Sequence, residues 1–225
     1  VTTVESSAND ALVALPRAAK PGRPPRAAAE RLRDQILECA TDALLTQGYG
    51  ATSIESIARL ARVSKRTFYH RFQDKPALMF AVVARLIDGL RPPADVPLIE
   101  GGSLAEILVH LAQLVVRAAL STRALQLHRL LVAESERFPE LGQAVARAGG
   151  RQEAIKLIST LLVQRGPALD GLRAEFAAQQ FLQLILSYPQ MRAIGLGVPM
   201  RDDELDAWVG DSVTLFLGGL GALAA

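Results

Sequence analysis

Apolar residues recur at steps of three and four along most of the chain, and no stretch sustains strict alternation, so the pattern predicts helices throughout. Leu32, Ile36, Ala40, Ala43 and Leu44 form the first stripe and leave Arg31, Arg33, Asp34, Glu38 and Asp42 mostly outside. They predict a helix over 27–47, stopped by Gly48 with Tyr49 and Gly50 in the turn. Thr52-Ser53-Ile54-Glu55 reads as a capping box, with the Thr52 hydroxyl capping and Glu55 reaching back. The helix it opens, 53–61, buries Ile54, Ile57 and Ala58. Arg62-Val63 turns the chain, and Ser64 caps a second short helix through Phe72. Asp74 caps the next, with Pro76 in its first turn, and that helix runs to about Leu90.

Beyond Pro92-Pro93 the pattern changes to long apolar helices, expected over 103–119, 121–138, 139–165, 169–189 and 202–218. Gly166-Pro167, Pro189 and Gly195 to Pro199 should break them. Residues 1–20 carry no sustained period, and Pro16, Pro21, Pro24 and Pro25 forbid a helix into the first stripe. The expected organisation is therefore a flexible tail and basic arm (1–26), a helix-turn-helix domain (27–91) and a larger helical domain (92–225).

Charge sharpens this division. The net charge is only +2, yet residues 17–91 hold fourteen Lys and Arg against seven Asp and Glu, while residues 92–225 hold eleven against fourteen. A basic front and an acidic back suggest that only the front meets a polyanion, although solvated helix faces of unequal sign would give the same count. The single cysteine, Cys39, excludes an intramolecular disulfide and a cysteine-built metal site, and is expected as a buried structural thiol. No charged-then-apolar leader opens the sequence, and the nearly uncharged stretch 212–225 is shorter than the ~20 residues a bilayer requires. A cytoplasmic protein without membrane contact is the expectation.

Two short helices joined by a tight turn have the proportions of a helix-turn-helix. The second presents Lys65, Arg66, Thr67, Tyr69, His70 and Arg71, while Phe68 and Phe72 fall four apart on one face and anchor it. That leaves the polar face free for a major groove about 12 Å wide. Ser64 at the helix start suits a phosphate, and Lys75, one turn on, is placed to clamp the flanking backbone. Tyr69 could instead be a core aromatic; His70 has no partner spaced to make it catalytic or a metal ligand.

The run Gly48-Tyr49-Gly50-Ala51-Thr52-Ser53-Ile54-Glu55-Ser56-Ile57-Ala58, followed by Val63 through Lys75, resembles the TetR/AcrR regulators over residues 33–81. The resemblance implies three N-terminal helices plus a helical ligand-binding and dimerisation domain, an all-α fold. It also implies DNA contacts from Ser64, Lys65, Arg66, Thr67, Tyr69, His70 and Lys75. Thr52 and Arg62, which flank the first of the paired helices, join these candidates. Arg62 stands where the family usually has Gly, so a left-handed non-glycine residue costing roughly 1 kcal/mol is expected there, with a phosphate contact in return. Arg71 replaces a common His and alters donor geometry. Arg23, within Lys20-Pro21-Gly22-Arg23-Pro24, resembles a minor-groove hook, against the alternative of a solvated basic linker.

Leu130 through Leu141, Leu-Leu-Val-Ala-Glu-Ser-Glu-Arg-Phe-Pro-Glu-Leu, looks like a stretch found in one large subgroup of the same regulators. His110, His128, Phe138, Phe176, Tyr188 and Met191 are candidates to line an effector pocket, with core packing as the competing role. Phe181, Leu182 and Ile185 on one late helix, with Trp208, Val209, Val213 and Phe216 on the last, are expected to pair across a two-fold axis as a four-helix interface. The alternative is an intramolecular core.

The expected function is a dimeric regulator, by family habit a repressor, that binds a palindromic operator in double-stranded DNA and is released by a small apolar effector. No nucleophile-base pair, paired carboxylates, phosphate-cradling loop or metal spacing appears, so neither an enzyme nor a cofactor or metal is expected. A helical small-molecule-binding protein without DNA function is the competing class.

Overall fold

A computed structural model describes residues 26–92 and 102–224. The basic arm with Arg23, and most of the expected linker, lie outside the described residues. Among the described residues ten α-helices follow in order: α1 (Arg26–Gln47), α2 (Ile54–Leu60), α3 (Lys65–Tyr69), α4 (Lys75–Asp88), α5 (Leu104–Ala119), α6 (Thr122–Glu134), α7 (Glu140–Ala148), α8 (Gly150–Arg165), α9 (Gly171–Met191) and α10 (Asp202–Ala224). A π-helical turn, Arg192–Leu196, follows α9. The all-α expectation holds.

Local chemistry explains the boundaries, with four corrections. The box that opens α2 is built one residue later than the pattern suggested: Ser53 caps the Ser56 amide at 3.0 Å, and the Ser56 hydroxyl accepts from the Ser53 amide at 3.1 Å. Thr52 is drawn away because its buried hydroxyl bonds the Gly48 carbonyl at 2.7 Å. The helix expected over 139–165 is two helices, divided at Gly149, whose φ of 77° no helix accommodates. A Cβ at the neighbouring Gly150 would run into Ile87, so this break also lets α8 press against α4. Pro189 sits inside α9 rather than ending it, and α10 passes its glycines at 218, 219 and 221 to reach Ala224.

Two apolar cores result. The first joins Leu37, Leu44, Tyr49, Ile57, Phe68, Phe72, Leu78 and Val82 of the front with Leu127, Leu130, Leu141 and Ala144 of α6 and α7, so the larger domain packs directly onto the helix-turn-helix unit. Cys39 is half-buried against it. Arg85 of α4 bonds Asp34 and Glu38 of α1 at 3.0 and 3.2 Å, and Arg123 of α6 reaches Glu38 at 2.5 Å. The second core gathers α5, α8, α9 and α10 around Leu108, Ile158, Leu162, Ala178, Phe181 and Val209.

This second core corrects the expected dimer contacts. Phe181, Leu182, Ile185, Val209 and Val213 are buried within one chain, holding α9 against its neighbours. Trp208 donates to the Ile185 carbonyl at 3.2 Å, and the Phe216 ring lies 4.8 Å from that of Phe181. Amphipathic pattern marks a buried face but not the partner that buries it; for these five buried residues the partner is the same chain, while Trp208 and Phe216 stay half-buried.

Candidate nucleic-acid interface and sensor cavity

The turn between α2 and α3 is closed by the α2 C-terminus. The Val63 amide donates to the Ala58 carbonyl at 2.9 Å and the Arg62 amide to that of Arg59 at 3.0 Å, the paired bonds of a Schellman motif. Arg62 takes the left-handed position with φ of 53°, as its place in the sequence implied.

Ser64 then opens α3 by accepting from the Thr67 amide at 3.0 Å, and the two hydroxyls lie 2.8 Å apart. Phe68 and Phe72 are buried, ring against ring at 5.6 Å, so the opposite side of α3 faces outward. Arg62, Ser64, Lys65, Arg66, Tyr69 and His70 are all exposed, with Tyr69 49% open. Among the described residues the side chains of Arg62, Arg66 and His70 carry no hydrogen bond or ion pair. Lys65 is held at 3.0 Å by Glu55, whose carboxyl that hydrogen bond pulls below its ordinary range. A cationic face of this kind matches a phosphate backbone and the acceptor edges of guanine.

Three residues sit differently from expectation. Thr52 is 2% exposed and its hydroxyl serves the turn, so its side chain is not offered to a duplex. Lys75 lies 4.1 Å over the Tyr49 ring and donates to the Tyr49 carbonyl; burial lowers its pKa, opposed by Glu134 and Glu140. Arg71 also turns inward, donating to the Ala29 carbonyl at 3.4 Å.

A cavity of about 570 Å³ lies between the ends of α4, α5, α8 and α9. Ile87, Leu111, Val115, Leu157, Leu182 and Leu186 are among its walls, and Arg91, Arg151 and Glu153 are its charged lining residues. Arg91 holds Glu153 with two bonds of 2.9 and 2.7 Å and also bonds Asp88. None of the residues expected to line a pocket is among the walls of this cavity. His110 is exposed on α5, His128 is half-buried on α6, and Phe138 packs on Tyr49. Phe176, Tyr188 and Met191 are 50%, 41% and 40% exposed. The walls are mostly aliphatic; Leu182 and Leu186, on the helix face expected at a dimer contact, are among them.

Comparison with known proteins agrees with this geometry. Residues 36–82 match the bacterial regulatory proteins of the tetR family, and residues 106–221 match the AefR-like transcriptional repressor C-terminal domain. An uncharacterized HTH-type transcriptional regulator of Mycobacterium bovis, Mb1581, is 27% identical over 181 residues, 80% of this chain and 84% of that protein. A Mesorhizobium loti protein assigned to the TetR-family transcriptional regulators superposes with a TM-score of 0.69 at 29% identity, covering 84% of this chain and 96% of the other. The flavonoid-responsive regulator FrrA shares the fold, with a TM-score of 0.69 at 24% identity over 84% of this chain and 97% of its own.

Proposed function

This chain belongs to the TetR family of transcriptional regulators, and from that premise we propose that it is a repressor which grips a palindromic operator as a homodimer and releases it when a small effector enters the cavity. The observation that carries the reading is α3: its apolar face is anchored by Phe68 and Phe72, and its outward face offers Lys65, Arg66, Tyr69 and His70 beside Arg62 and Ser64. Lys65, Arg66 and Arg62 supply salt-dependent attraction to phosphates, and Arg66, Thr67 and His70 discriminate bases. Lys75 joins them only by exchanging its contact with Tyr49 for a phosphate. Arg23 is proposed as a minor-groove contact.

Dimerisation uses the outward faces of α9 and α10, where Leu172, Phe176, Tyr188 and Leu215 are exposed. Two copies paired there would set two recognition helices about 34–36 Å apart, one turn of duplex. The cavity has a size typical of sites for small organic molecules, and its aliphatic walls suit a mostly apolar effector. Among the described residues no single helix is long and apolar enough to cross a membrane; a cytoplasmic location is part of the proposal.

Selection of bound duplexes from a random pool, followed by affinity against salt, tests the reading. A recovered palindrome with a steep salt dependence is the expected result. Absence of any enriched site, with only weak binding at low salt, would leave a helical small-molecule-binding protein.

A further inference from the structure

The segment from Glu134 to Glu140 closes over the turn between α1 and α2. Glu134 accepts the Tyr49 amide at 3.0 Å on one carboxylate oxygen and the Gly50 amide at 2.7 Å on the other. The Tyr49 hydroxyl donates to Glu140 at 3.0 Å, and burial with that bond raises the pKa of the phenol. Phe138 meets the Tyr49 ring edge-on, with centroids 5.0 Å apart. The turn is shaped for this cover: a Cβ at Gly48 would collide with the Glu134 carboxylate, and one at Gly50 would lie 3.2 Å from the Phe138 ring.

We propose that Glu134 is a positioning residue whose carboxylate fixes the angle of the helix-turn-helix unit on the larger domain, and thereby the half-site spacing that the dimer accepts. The inference rests on the dimeric, operator-binding reading above. Its physical basis is the contrast between two kinds of contact joining the same bodies. Leu141 and Ala144 of α7 pack on the first core, and such apolar burial carries no direction. The two bonds from adjacent amides to one carboxylate are directional and charge-assisted, and therefore define an orientation. They act three residues before the Ser53 cap of α2, and the Thr52 hydroxyl ties this turn back to the end of α1 through the Gly48 carbonyl. A shift of the Glu134 end of α6 is thus passed to the start of the DNA-reading pair.

Half-site spacing is the readout that a merely stabilising role would not move, because one inserted base pair rotates a half-site by about 35°. The full-length protein is titrated with its selected palindrome and with the same duplex carrying one central base pair more or fewer. The wild type should prefer its own spacing by at least about tenfold, and Glu134→Gln, which puts an amide N–H against one of the two backbone amides, should cut this to about threefold or less. The dimer and the salt slope should be retained. Glu134→Asp, which withdraws the carboxylate by one methylene, should do the same and serves should the glutamine variant fold poorly. A folded variant of either kind with the full wild-type spacing preference overturns the inference alone. A wild type that recovers no palindrome overturns the operator reading and this inference with it.

Discussion

The two cores are built differently. The first is filled by aromatic rings, Tyr49, Phe68 and Phe72, wedged among Leu and Val, with directional polar contacts at its edge from Glu134, Glu140 and Arg85. The second is mostly aliphatic, with Phe181 as its one fully buried ring, and a cavity of about 570 Å³ opens beside it. A reading head must hold a few side chains in one geometry against a groove, which favours tight packing and oriented bonds. A sensor must admit a guest, which favours unfilled space. The cavity takes walls from the end of α4, so the guest would meet the last helix of the DNA-binding part.

Five substitutions test this contrast. Phe68→Ala should cost about 3–5 kcal/mol, because a fully buried ring leaves a void in a packed core. Leu157→Ala, at a wall that already borders open space, should cost less than about 2 kcal/mol, below the range for packed leucines. Urea unfolding of both variants measures this, and equal losses would erase the distinction between the cores.

Gly48→Ala comes next. It forces a side chain onto a φ of 90° and into the Glu134 carboxylate, and should lower stability by about 1–3 kcal/mol in the same assay. Arg62→Gly should act in the opposite direction on stability, raising it by about 0.5–1 kcal/mol once the larger freedom of the unfolded chain is subtracted from the relieved strain. It should also weaken DNA binding with a salt slope smaller by about one, because a phosphate contact is lost.

The smallest effect is expected from Glu38, which links α1 to α4 and α6. Its carboxyl is held below the ordinary range chiefly by the hydrogen bond from Arg123, then by the charges of Arg123 and Arg85. A depressed carboxylate stabilises the fold above its unfolded pKa near ~4.3, and that contribution fades as pH falls through the lower folded value. The pair is half-exposed, so Glu38→Gln should cost no more than about 1 kcal/mol near neutral pH. Thermal melts from pH 7 to 3 should show the variant and the wild type converging at the acid end.

How much of this was legible varied with the kind of interaction. The helix-turn-helix pair was readable because its determinants are local: Ser64 caps three residues ahead, Phe68 and Phe72 are one turn apart, and Asp74 caps α4. The break between α7 and α8 lies at Gly149-Gly150, a two-residue signal inside a long helical pattern. The capping register slipped by one because two adjacent hydroxyls, on Thr52 and Ser53, compete for the same role, and burial of the first decided it.

The helices of the DNA-reading part, the aromatic anchor of α3, its cationic outer face and the strained Arg62 were legible in the chain alone, since each depends on residues within a turn or two. That Phe181 and Val209 face their own chain, that Lys75 rests on Tyr49, and that Leu157 and Leu186 line a cavity follow from packing between distant segments. The Glu134 bonds to Tyr49 and Gly50 likewise span 84 or more positions of the chain. Periodicity reports that a face is apolar, but what meets that face is set by helix packing across such separations, and no local pattern carries that information.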